Sequence, residues 1–497
     1  MSINAPAGNK KTLRRRELLA LGGGAIASLG LAGKLRAATD KVDVAIIGAG
    51  LSGMYAAILL RDLGASVRVL EANARAGGRC LTAKDWFQSP DLGASQIGGT
   101  YARILSVCQR LNIELGPGSH VNAPYTPVIG GRLVAAEDWA TSKYNLTEGE
   151  EREALPHTLF SFYIGRRTPF NDLNDWRQPE AAQYDISIAE WLKRQGASRE
   201  AMRMMHEASG RTPFDQRSVL RMLQEATRGR IEMDRVSAAQ REQLDQYEIA
   251  AILSSHIVGG TSRLTDAMAA EIGDNLRLGS QVEAIEESDK THILTLRNGA
   301  TVKASFVLST LPFSSLRKVT FNPPLTGSQA EAVAQMPYNN QSQTWLRVKA
   351  PYWEDDGMGA SMWTDGPLQY VRQQIKPDGS RELMSAICSA EKAAFLDAMP
   401  PQQRGQFVKK EIERIRPSTE GKLEVIGVHS WAQGANTGGC SFELPVGRAA
   451  DWVNAMGKPH GRVFFAGEHL RQIELGMEAA MESGERAAME IAQTLLA

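Results

Sequence analysis

Cysteine is scarce in this sequence of 497 residues, which contains only Cys80, Cys108, Cys388 and Cys440. These positions are far apart, and no CxxC pair or Cys/His cluster occurs, so neither a metal site nor a disulfide framework is indicated. Net charge is also absent, because 56 Lys and Arg residues offset 56 Asp and Glu residues. Since no chain-wide basic field would attract nucleic acid, we expect no metal and no nucleic-acid partner.

Internal repeats, low-complexity linkers and sustained heptads are likewise missing, which excludes repeat arrays and long coiled coils. The composition is instead that of a globular protein, with 43% hydrophobic and 23% charged residues. The chain is about three times the usual domain length of roughly 150 residues. We therefore expect at least two domains with substantial cores.

Residues 12–38 have the layout of an export signal, with three arginines, an apolar stretch of Ala, Gly and Leu, and small residues at the end. Arg15 and Arg16, followed by one free position and two leucines, resemble the twin-arginine pattern. Glycines and two basic residues dilute the apolar stretch, which makes a membrane anchor the weaker alternative. We expect residues 1–38 to be a twin-arginine-type signal peptide that directs a folded, cofactor-loaded protein to the periplasm.

A dinucleotide-binding pattern follows directly. Residues 42–47 form a continuous β-branched and apolar run, typical of a buried strand, and residues 54–63 are typical of a helix. Between them lies the GxGxxG spacing of Gly48, Gly50 and Gly53. The first glycine permits a tight turn, the second lets the backbone approach a pyrophosphate, and the third allows helix and strand to pack closely. The sequence therefore predicts a strand, a phosphate-binding turn and a helix.

An acidic residue is expected at the end of the next strand of such a fold, and Glu71 fulfils this expectation after the strand-like residues 66–70. A carboxylate at this place can accept hydrogen bonds from both hydroxyls of an adenosine ribose. The same carboxylate would repel the 2′-phosphate of NADP. The cofactor is therefore predicted to be FAD or NAD rather than NADP.

Four blocks extend the pattern over most of the chain, at residues 71–79, 91–98, 462–468 and 475–488. In this order they resemble the conserved blocks of the flavin-dependent, monoamine oxidase-like amine oxidase family. The resemblance implies FAD as the cofactor. It also implies an α/β fold with a Rossmann-type FAD-binding domain, assembled from discontinuous segments, and a mixed-sheet and helical substrate-binding domain.

The resemblance also divides the chain. The segments expected in the FAD-binding domain are 39–117, 257–317 and 432–497. Residues 118–256 and 318–431 are expected to form the substrate-binding domain. Within the first of these, the spacing of apolar side chains predicts helices over 188–194, 200–209 and 218–228.

Several residues at the matching motif positions are expected to contact the cofactor. The backbone of Val282 would hold the adenine, and the helix N-terminus at Met477 would favour negative charge on the reduced flavin. The complete expected set is Gly48, Gly50, Ser52, Gly53, Glu71, Arg75, Gly78, Arg79, Gly93, Ala94, Ser95, Val282, Cys440, Gly467, Glu468 and Met477.

Trp431 and Cys440 repeat a spacing found in monoamine oxidases, where a tryptophan lines the flavin and a cysteine nine positions later is bonded to its 8α carbon. The resemblance implies that Trp431 forms a wall of the active site. For Cys440 two alternatives stay open. The thiol either bonds the flavin or serves as a small buried apolar group, as in relatives that bind FAD without a covalent link.

Two family features are altered. Ser441 and Gly476 occupy the places of the two tyrosines that align the amine, so the substrate pocket is expected to be wider, with Phe442 as one replacement aromatic. Gln343 occupies the place of the lysine that holds a water near flavin N5. Because glutamine carries no positive charge, rapid reaction with oxygen is in doubt, and a periplasmic cytochrome becomes an alternative electron acceptor.

The resemblance implies oxidation of an amine by hydride transfer to the flavin, followed by hydrolysis of the imine to a carbonyl product and a released amine. The wide pocket favours a bulky secondary or aromatic, alkaloid-type amine. One alternative is an L-amino-acid oxidase, which would need a pocket arginine such as Arg211, Arg217 or Arg372. Another is a non-catalytic flavoprotein for electron relay. A homodimer is compatible with all three.

Overall fold

The computed structural model describes residues 40–496 apart from 119, 122–123, 166, 210–212, 244–248 and 250–252. The predicted signal peptide, residues 1–38, lies outside the described residues, so its assignment stays a prediction. No helix among the described residues has both the length and the apolar character needed to span a bilayer.

The strands, in chain order, are β1 (Asp40–Ile47), β2 (Val67–Leu70), β3 (Ile97–Gly98), β4 (Leu115–Pro117), β5 (His120–Val121), β6 (Thr126–Ile129), β7 (Arg132–Leu133), β8 (Ser254–Ile257), β9 (Leu276–Arg277), β10 (Val282–Ser288), β11 (Thr291–Leu296), β12 (Thr301–Ser309), β13 (Thr320–Asn322), β14 (Tyr338–Asn339), β15 (Gln341–Val348), β16 (Met362–Thr364), β17 (Tyr370–Ile375), β18 (Leu383–Ser389), β19 (Leu423–Ser430), β20 (Ser441–Phe442) and β21 (Val463–Phe465). The α-helices are α1 (Leu51–Asp62), α2 (Ala102–Arg110), α3 (Ile188–Arg194), α4 (Arg199–Ser209), α5 (Leu220–Met233), α6 (Ala238–Gln243), α7 (Ser262–Ile272), α8 (Phe313–Leu316), α9 (Gly327–Gln335), α10 (Trp353–Asp356), α11 (Ala390–Asp397), α12 (Pro401–Ile415), α13 (Ala449–Ala455) and α14 (Gly476–Leu496).

The first large sheet has β1 at its centre. β1 pairs in parallel with β2 on one side and with β12 on the other, and β21 lies parallel to the end of β12. The full order is β13-β10-β11-β12-β1-β2-β9, with β21 beside β12. This arrangement brings the strand nearest the N-terminus and the strand nearest the C-terminus into one sheet.

Both faces of β1 are buried, as its continuous apolar sequence predicts. Val44 and Ile46 pack into a core with helices α1, α7 and α14, whereas Val42 and Ile47 face a second core. Complete burial of a side chain such as Ile46, which is 0% exposed, contributes about 1.5–3 kcal/mol. Hydrophobic burial on both faces therefore fixes the strand that carries the glycine turn.

The second large sheet has the order β19-β15-β18-β17-β16-β6-β7, with β5 beside β17. Its central strands are antiparallel, and helix α12 packs against β19 and β15. The first sheet is parallel around β1 and becomes antiparallel at β11, and the second sheet is also mixed. Together with the helices packed on them, the two sheets confirm the predicted α/β fold class. The predicted domain boundaries stay a prediction.

Candidate functional site

A cavity of about 440 Å³ lies at the carboxyl ends of β1 and β2. This is the position at which open parallel sheets bind their ligands, because the loops that follow the strands converge there. The glycine turn after β1, the end of β2, the loop after β12 and the start of α14 all contribute to its wall. The cavity therefore joins segments from opposite ends of the chain.

Most of the residues predicted from sequence meet in this cavity. Those that line it are Gly48, Gly50, Ser52, Glu71, Gly78, Arg79, Gly93, Ala94, Val282, Trp431, Cys440, Ser441, Gly467, Glu468, Gly476 and Met477. Five others are not in its lining: Gly53, Arg75, Ser95, Gln343 and Phe442.

Two glycines of the turn after β1 have different roles: Gly53 lets α1 pack against the turn, and Gly50 leaves space for a ligand. A Cβ atom added to Gly53 would lie 2.1 Å from the carbonyl oxygen of Gly48, so Gly53 permits the close approach of α1 to the turn. A Cβ atom added to Gly50 would meet nothing within 4 Å. The space above Gly50 opens into the cavity, where a pyrophosphate can approach the backbone.

Glu71 is held in the orientation that a ribose requires. One carboxylate oxygen accepts a hydrogen bond from the Ala49 amide at 2.8 Å, and the other accepts from the Asn73 amide at 2.9 Å. The residue is buried and lines the cavity. Because the turn after β1 and the end of β2 share this carboxylate, the ribose-binding group and the phosphate-binding turn are fixed relative to each other.

The two arginines of the second glycine-rich segment have different environments. Arg75 donates hydrogen bonds to the carbonyl oxygens of Ala76, Gly78 and Cys80, so it supports the loop from behind. Burial lowers the pKa of Arg75. Arg79 lines the cavity and donates a hydrogen bond of 2.5 Å to the carbonyl oxygen of Cys440. Arg79 thus ties the loop after β2 to the segment that carries the predicted flavin contacts.

Trp431 and Cys440 lie at the same end of the cavity. The indole Nε1 of Trp431 donates a hydrogen bond to the Leu92 carbonyl oxygen at 3.0 Å, which fixes the plane of the ring. Cys440 packs against the cluster that contains Trp431, and its amide donates to the Asn339 carbonyl oxygen at 2.8 Å. The structure therefore brings both side chains together in the cavity lining, and their contact with the isoalloxazine ring stays a prediction.

Of the two glutamines near the start of β15, Gln341 lines the cavity, whereas Gln343 is buried behind it. Gln343 Nε2 donates to the Leu92 carbonyl oxygen at 2.9 Å and to Gln341 Oε1 at 2.7 Å, and its own Oε1 accepts from Trp345 Nε1. Residues two apart on a strand share a face, so Gln341 and Gln343 both point toward the cavity side of β15. The resemblance to the family placed Gln343 at the lysine position, and Gln343 lies farther from the cavity than Gln341.

Phe442 also lies behind the cavity wall rather than in it. The ring is fully buried, with the guanidinium of Arg221 4.8 Å and that of Arg471 5.3 Å from its centre. The aromatic residue near Gly476 is instead Tyr101, the residue that precedes α2. Its hydroxyl lies 3.6 Å from the position that a Cβ atom on Gly476 would occupy. Burial raises the pKa of Tyr101 to about 12, so the hydroxyl is neutral.

The arginines considered for binding a substrate carboxylate are engaged elsewhere or lie outside the described residues. Arg217 forms a buried ion pair with Glu443, with an N–O distance of 2.9 Å, and Arg372 lies 4.8 Å above the Tyr370 ring. Neither lines the cavity. Arg211 lies outside the described residues.

Histidines near the cavity offer no charged acid or base at neutral pH. Burial lowers the pKa of His429 to about 4 and that of His469 to about 3. His469 is 1% exposed and packs edge-on against Phe313 at 4.5 Å. No group of three or more His, Cys, Asp or Glu side chains among the described residues is placed to hold a metal ion.

The residues in the lining fit an FAD molecule. Glu71 and Val282 would hold its adenosine, and the open backbone at Gly50 would admit its pyrophosphate. Trp431 and Met477 would contact its isoalloxazine. Sequence inspection missed other residues of the lining, among them Asn436, Lys318 and Thr310. The Thr310 hydroxyl donates to the carbonyl oxygens of Ile47 and Gly48, so it supports the glycine turn from β12. Only the pairing of β1 with β12 reveals this role.

Known proteins share this sequence pattern and fold. Residues 51–492 match the family model described as flavin containing amine oxidoreductase. Amine oxidase [flavin-containing] B of Bos taurus is 26% identical over 466 residues, which cover 91% of this chain and 86% of the relative. The L-amino-acid oxidase of Mus musculus is 27% identical over 474 residues, covering 90% and 70% respectively.

Two solved structures have the same fold. Cyclohexylamine oxidase from Brevibacterium oxydans superimposes with a TM-score of 0.73 at 23% identity, and the match covers 92% of this chain and all of that one. Wild-type putrescine oxidase bound to putrescine gives a TM-score of 0.70 at 19% identity, with the same coverage. The family match spans most of the chain from the start of α1 onward, and it includes Glu71, Trp431, Cys440 and the start of α14. The chain therefore belongs to the flavin-containing amine oxidoreductases, enzymes that use FAD.

Proposed function

We propose that this enzyme oxidises a bulky secondary or aromatic amine of the alkaloid type, such as pseudooxynicotine, at the carbon next to the nitrogen. The observation that supports this choice is the composition of the cavity wall at the flavin end. Ser441 and Gly476 line it where the resemblance implies two tyrosines. Small side chains at these two positions leave room for a substrate wider than a simple primary amine.

The charges around the cavity favour an uncharged amine over an amino acid. The cationic side chains in its lining are Arg79 and Lys318. Arg79 is bonded to the Cys440 carbonyl oxygen and lies 3.9 Å from the carboxylate of Glu468. Lys318 is on the exposed side of the molecule, where it approaches the Ala435 carbonyl oxygen at 3.4 Å. A substrate carboxylate would therefore lack the bidentate arginine that such groups prefer.

The residues of the chain supply position and electrostatics for the reaction. FAD, when bound, accepts a hydride from the substrate carbon. Trp431 forms a rigid wall, since its indole is hydrogen-bonded to Leu92, and Gln341 presents a neutral amide to the cavity. The amides at the start of α14, near Met477, favour negative charge on the pyrimidine end of the reduced flavin. The released imine would hydrolyse in water to a carbonyl compound and an amine.

The setting of the reaction is part of the proposal. The twin-arginine-like segment at residues 1–38 supports export to the periplasm. The residue of β15 in the cavity lining is Gln341, a neutral side chain that offers no positive charge to favour a superoxide-like intermediate. We therefore propose a periplasmic cytochrome as an electron acceptor alongside oxygen. The profile of export signal and open pocket is similar to that of the bacterial alkaloid-degrading amine oxidases, particularly pseudooxynicotine amine oxidase.

Anaerobic reduction of the bound flavin tests the substrate class. The yellow holoenzyme is mixed, without oxygen, with pseudooxynicotine, other secondary amines, polyamines, aromatic amines and L-amino acids. We expect bleaching of the flavin absorbance by a bulky amine that carries no carboxylate. Reoxidation of the bleached enzyme with oxygen or with cytochrome c then identifies the faster acceptor.

The outcomes of this experiment separate the alternatives. Bleaching by L-amino acids alone would overturn the proposal in favour of an L-amino-acid oxidase, the activity named for one relative of similar identity. Bleaching by none of the amines would favour a role in electron relay. In the variant Ser441→Phe the bulky amine should bleach the flavin at least about tenfold more slowly, because the added ring fills the proposed space, whereas a slim aliphatic amine should be less affected.

We further propose that Cys440 forms a thioether bond to the 8α carbon of bound flavin. The thiol and the 8α methyl would each lose one hydrogen, the flavin ring would take up the two electrons, and the electron acceptor of the enzyme would then reoxidise it. The residue lines the cavity beside Trp431, at the end where the isoalloxazine is expected. After acid precipitation of the wild-type enzyme, the yellow colour should stay with the protein pellet. For Cys440→Ala it should move to the supernatant. Cys108→Ala is the matched control, since Cys108 is buried in the core away from the cavity and should leave the colour in the pellet. Colour in the wild-type supernatant would contradict the bond.

A further inference from the structure

A second cavity, of about 180 Å³, lies on the opposite side of α14 from helix α1. We define it as the Arg177 cavity. Its wall combines the short 3₁₀ turn Asp175–Arg177, the end of α13 with the residues that follow it, and one face of α14. The side chains in its lining that can bind an anion are those of Arg177, Asn454, Lys458, Gln472 and Arg486.

The Arg177 cavity carries an excess of positive charge. Arg177, Lys458 and Arg486 line it, whereas Glu490 is the acidic residue in the lining. Glu490 accepts two hydrogen bonds from Arg486 at 3.2 and 3.3 Å, so its negative charge compensates Arg486 rather than Arg177. Among the residues that the structure describes, the guanidinium of Arg177 has no hydrogen-bond or ion-pair partner, and its Nε is completely buried.

Glu482, which lies outside the lining, attracts Arg177 from a distance but forms no hydrogen bond with it. Glu482 accepts hydrogen bonds from the backbone amides of Gln472, Ile473 and Glu474 at 3.1–3.3 Å. Its carboxylate is therefore oriented toward the loop before α14. Burial, together with the positive charge of Arg486, lowers the pKa of Arg177. Because Glu490 already compensates Arg486, the cation without an anionic hydrogen-bond partner beside the open space is Arg177, which is a costly arrangement unless an anion occupies that space.

We infer that the Arg177 cavity binds a small oxyanion of the phosphate type, held between Arg177 and Arg486 with Lys458 at the rim. Guanidinium groups are the donors that bind such anions in bidentate form. Apolar side chains at the back of the cavity, from Val453, Met456 and Leu470, exclude water and strengthen the attraction. Either free phosphate or the phosphate group of a small metabolite provides the required chemistry.

Occupation of the Arg177 cavity would connect three segments. Arg177 belongs to the 3₁₀ turn, whose Trp176 donates a hydrogen bond of 2.7 Å to the Gln472 carbonyl oxygen. Arg486 belongs to α14 and donates to the Phe465 carbonyl oxygen at the end of β21. An anion between them would cross-link the loop that separates Glu468 from Met477, two residues of the flavin cavity. The site therefore serves to stabilise the holoenzyme.

Thermal unfolding of the holoenzyme tests this inference directly. Sodium phosphate is titrated against sodium chloride at constant ionic strength. We expect a saturable rise in Tm of about 1–3 °C with phosphate that chloride does not reproduce. Calorimetric titration with phosphate should give one site, and glycerol phosphate in a parallel titration distinguishes a free anion from an organic phosphate as the better ligand.

Two variants and one control complete the design. Arg177→Gln should weaken phosphate binding by at least about tenfold, and in chloride its Tm should not fall below that of the wild type, because the repulsion with Arg486 is removed. Lys458→Gln provides a second, exposed test with a smaller loss of affinity. Arg194→Gln, which removes an exposed arginine paired with Glu190, should keep the full phosphate effect. Equal shifts in wild type and Arg177→Gln, or a response to ionic strength alone, would overturn the inference.

Discussion

Replacing Gly50 with valine should yield a folded but colourless protein. The backbone of Gly50 has φ −81° and ψ 179°, an extended conformation that valine adopts readily. A Cβ atom at this position meets no protein atom within 4 Å, so the polypeptide has room for the side chain. The same room is where a pyrophosphate must approach the backbone. We expect FAD binding to weaken by about a hundredfold or more, equivalent to at least about 2.7 kcal/mol.

The measurement is the ratio of flavin to protein absorbance after purification, followed by titration of the apoprotein with FAD. Gly53→Ala is the matched control within the same turn. Its Cβ would lie 2.1 Å from the Gly48 carbonyl oxygen, so it should lower the Tm of the apoprotein as well as the flavin content. If Gly50→Val retained the cofactor at wild-type levels, the turn would not be the pyrophosphate site.

Glu443→Gln is expected to be the most destabilising of the polar substitutions considered. Glu443 and Arg217 are each about 3% exposed and form an ion pair of 2.9 Å, and Arg221 approaches the same carboxylate at 3.6 Å. Loss of the negative charge breaks the buried ion pair of Arg217 with Glu443, whereas Arg221 keeps its ion pair with Glu225 at 3.0 Å. Breaking a buried ion pair from one side costs about 3–5 kcal/mol, which should appear as a lower free energy of unfolding in a urea titration.

An exposed ion pair gives the comparison. Glu283 and Arg297 form a pair of 2.9 Å on the first sheet, with side chains 46% and 69% exposed. Glu283→Gln should change the free energy of unfolding by about 0–1 kcal/mol, because solvent screens the interaction. The double variant Arg217→Met with Glu443→Leu should recover much of the loss, since apolar side chains replace both charges. Equal effects of Glu443→Gln and Glu283→Gln would show that burial does not govern the contribution of Glu443.

Local patterns in the sequence predicted the FAD end of the molecule well. The strand expected at residues 42–47 is β1, the following helix is α1, and the helix expected over 188–194 has those bounds in α3. These elements are determined by short-range periodicity and by a glycine turn in which Gly48, with φ 103°, has a backbone conformation that other residues rarely adopt. The order of the motifs along the chain then sufficed to predict the fold class.

The remaining wall of the cavity depended on contacts that no local pattern reveals. Gln341 and Gln343 share one face of β15. Gln343 is bonded to the Leu92 carbonyl oxygen behind the wall, which leaves Gln341 in the cavity lining. Tyr101 reaches Gly476 across the molecule from the start of α2. Arg177 and Arg486 are likewise brought together by tertiary packing. Such pairs are separated by hundreds of residues, so sequence spacing contains no information about their distance.

The place of α14 in the fold has a consequence for biosynthesis. Its Gly484 lies so close to α1 that an added Cβ would be 2.4 Å from the Ser52 carbonyl oxygen, and its Ser483 accepts a hydrogen bond from the Gly467 amide. A ribosome makes α14 several hundred residues after the glycine turn that it covers. The turn therefore stays uncovered in a nascent chain until α14 has been made, and a chain interrupted before α14 would leave the flavin site incomplete.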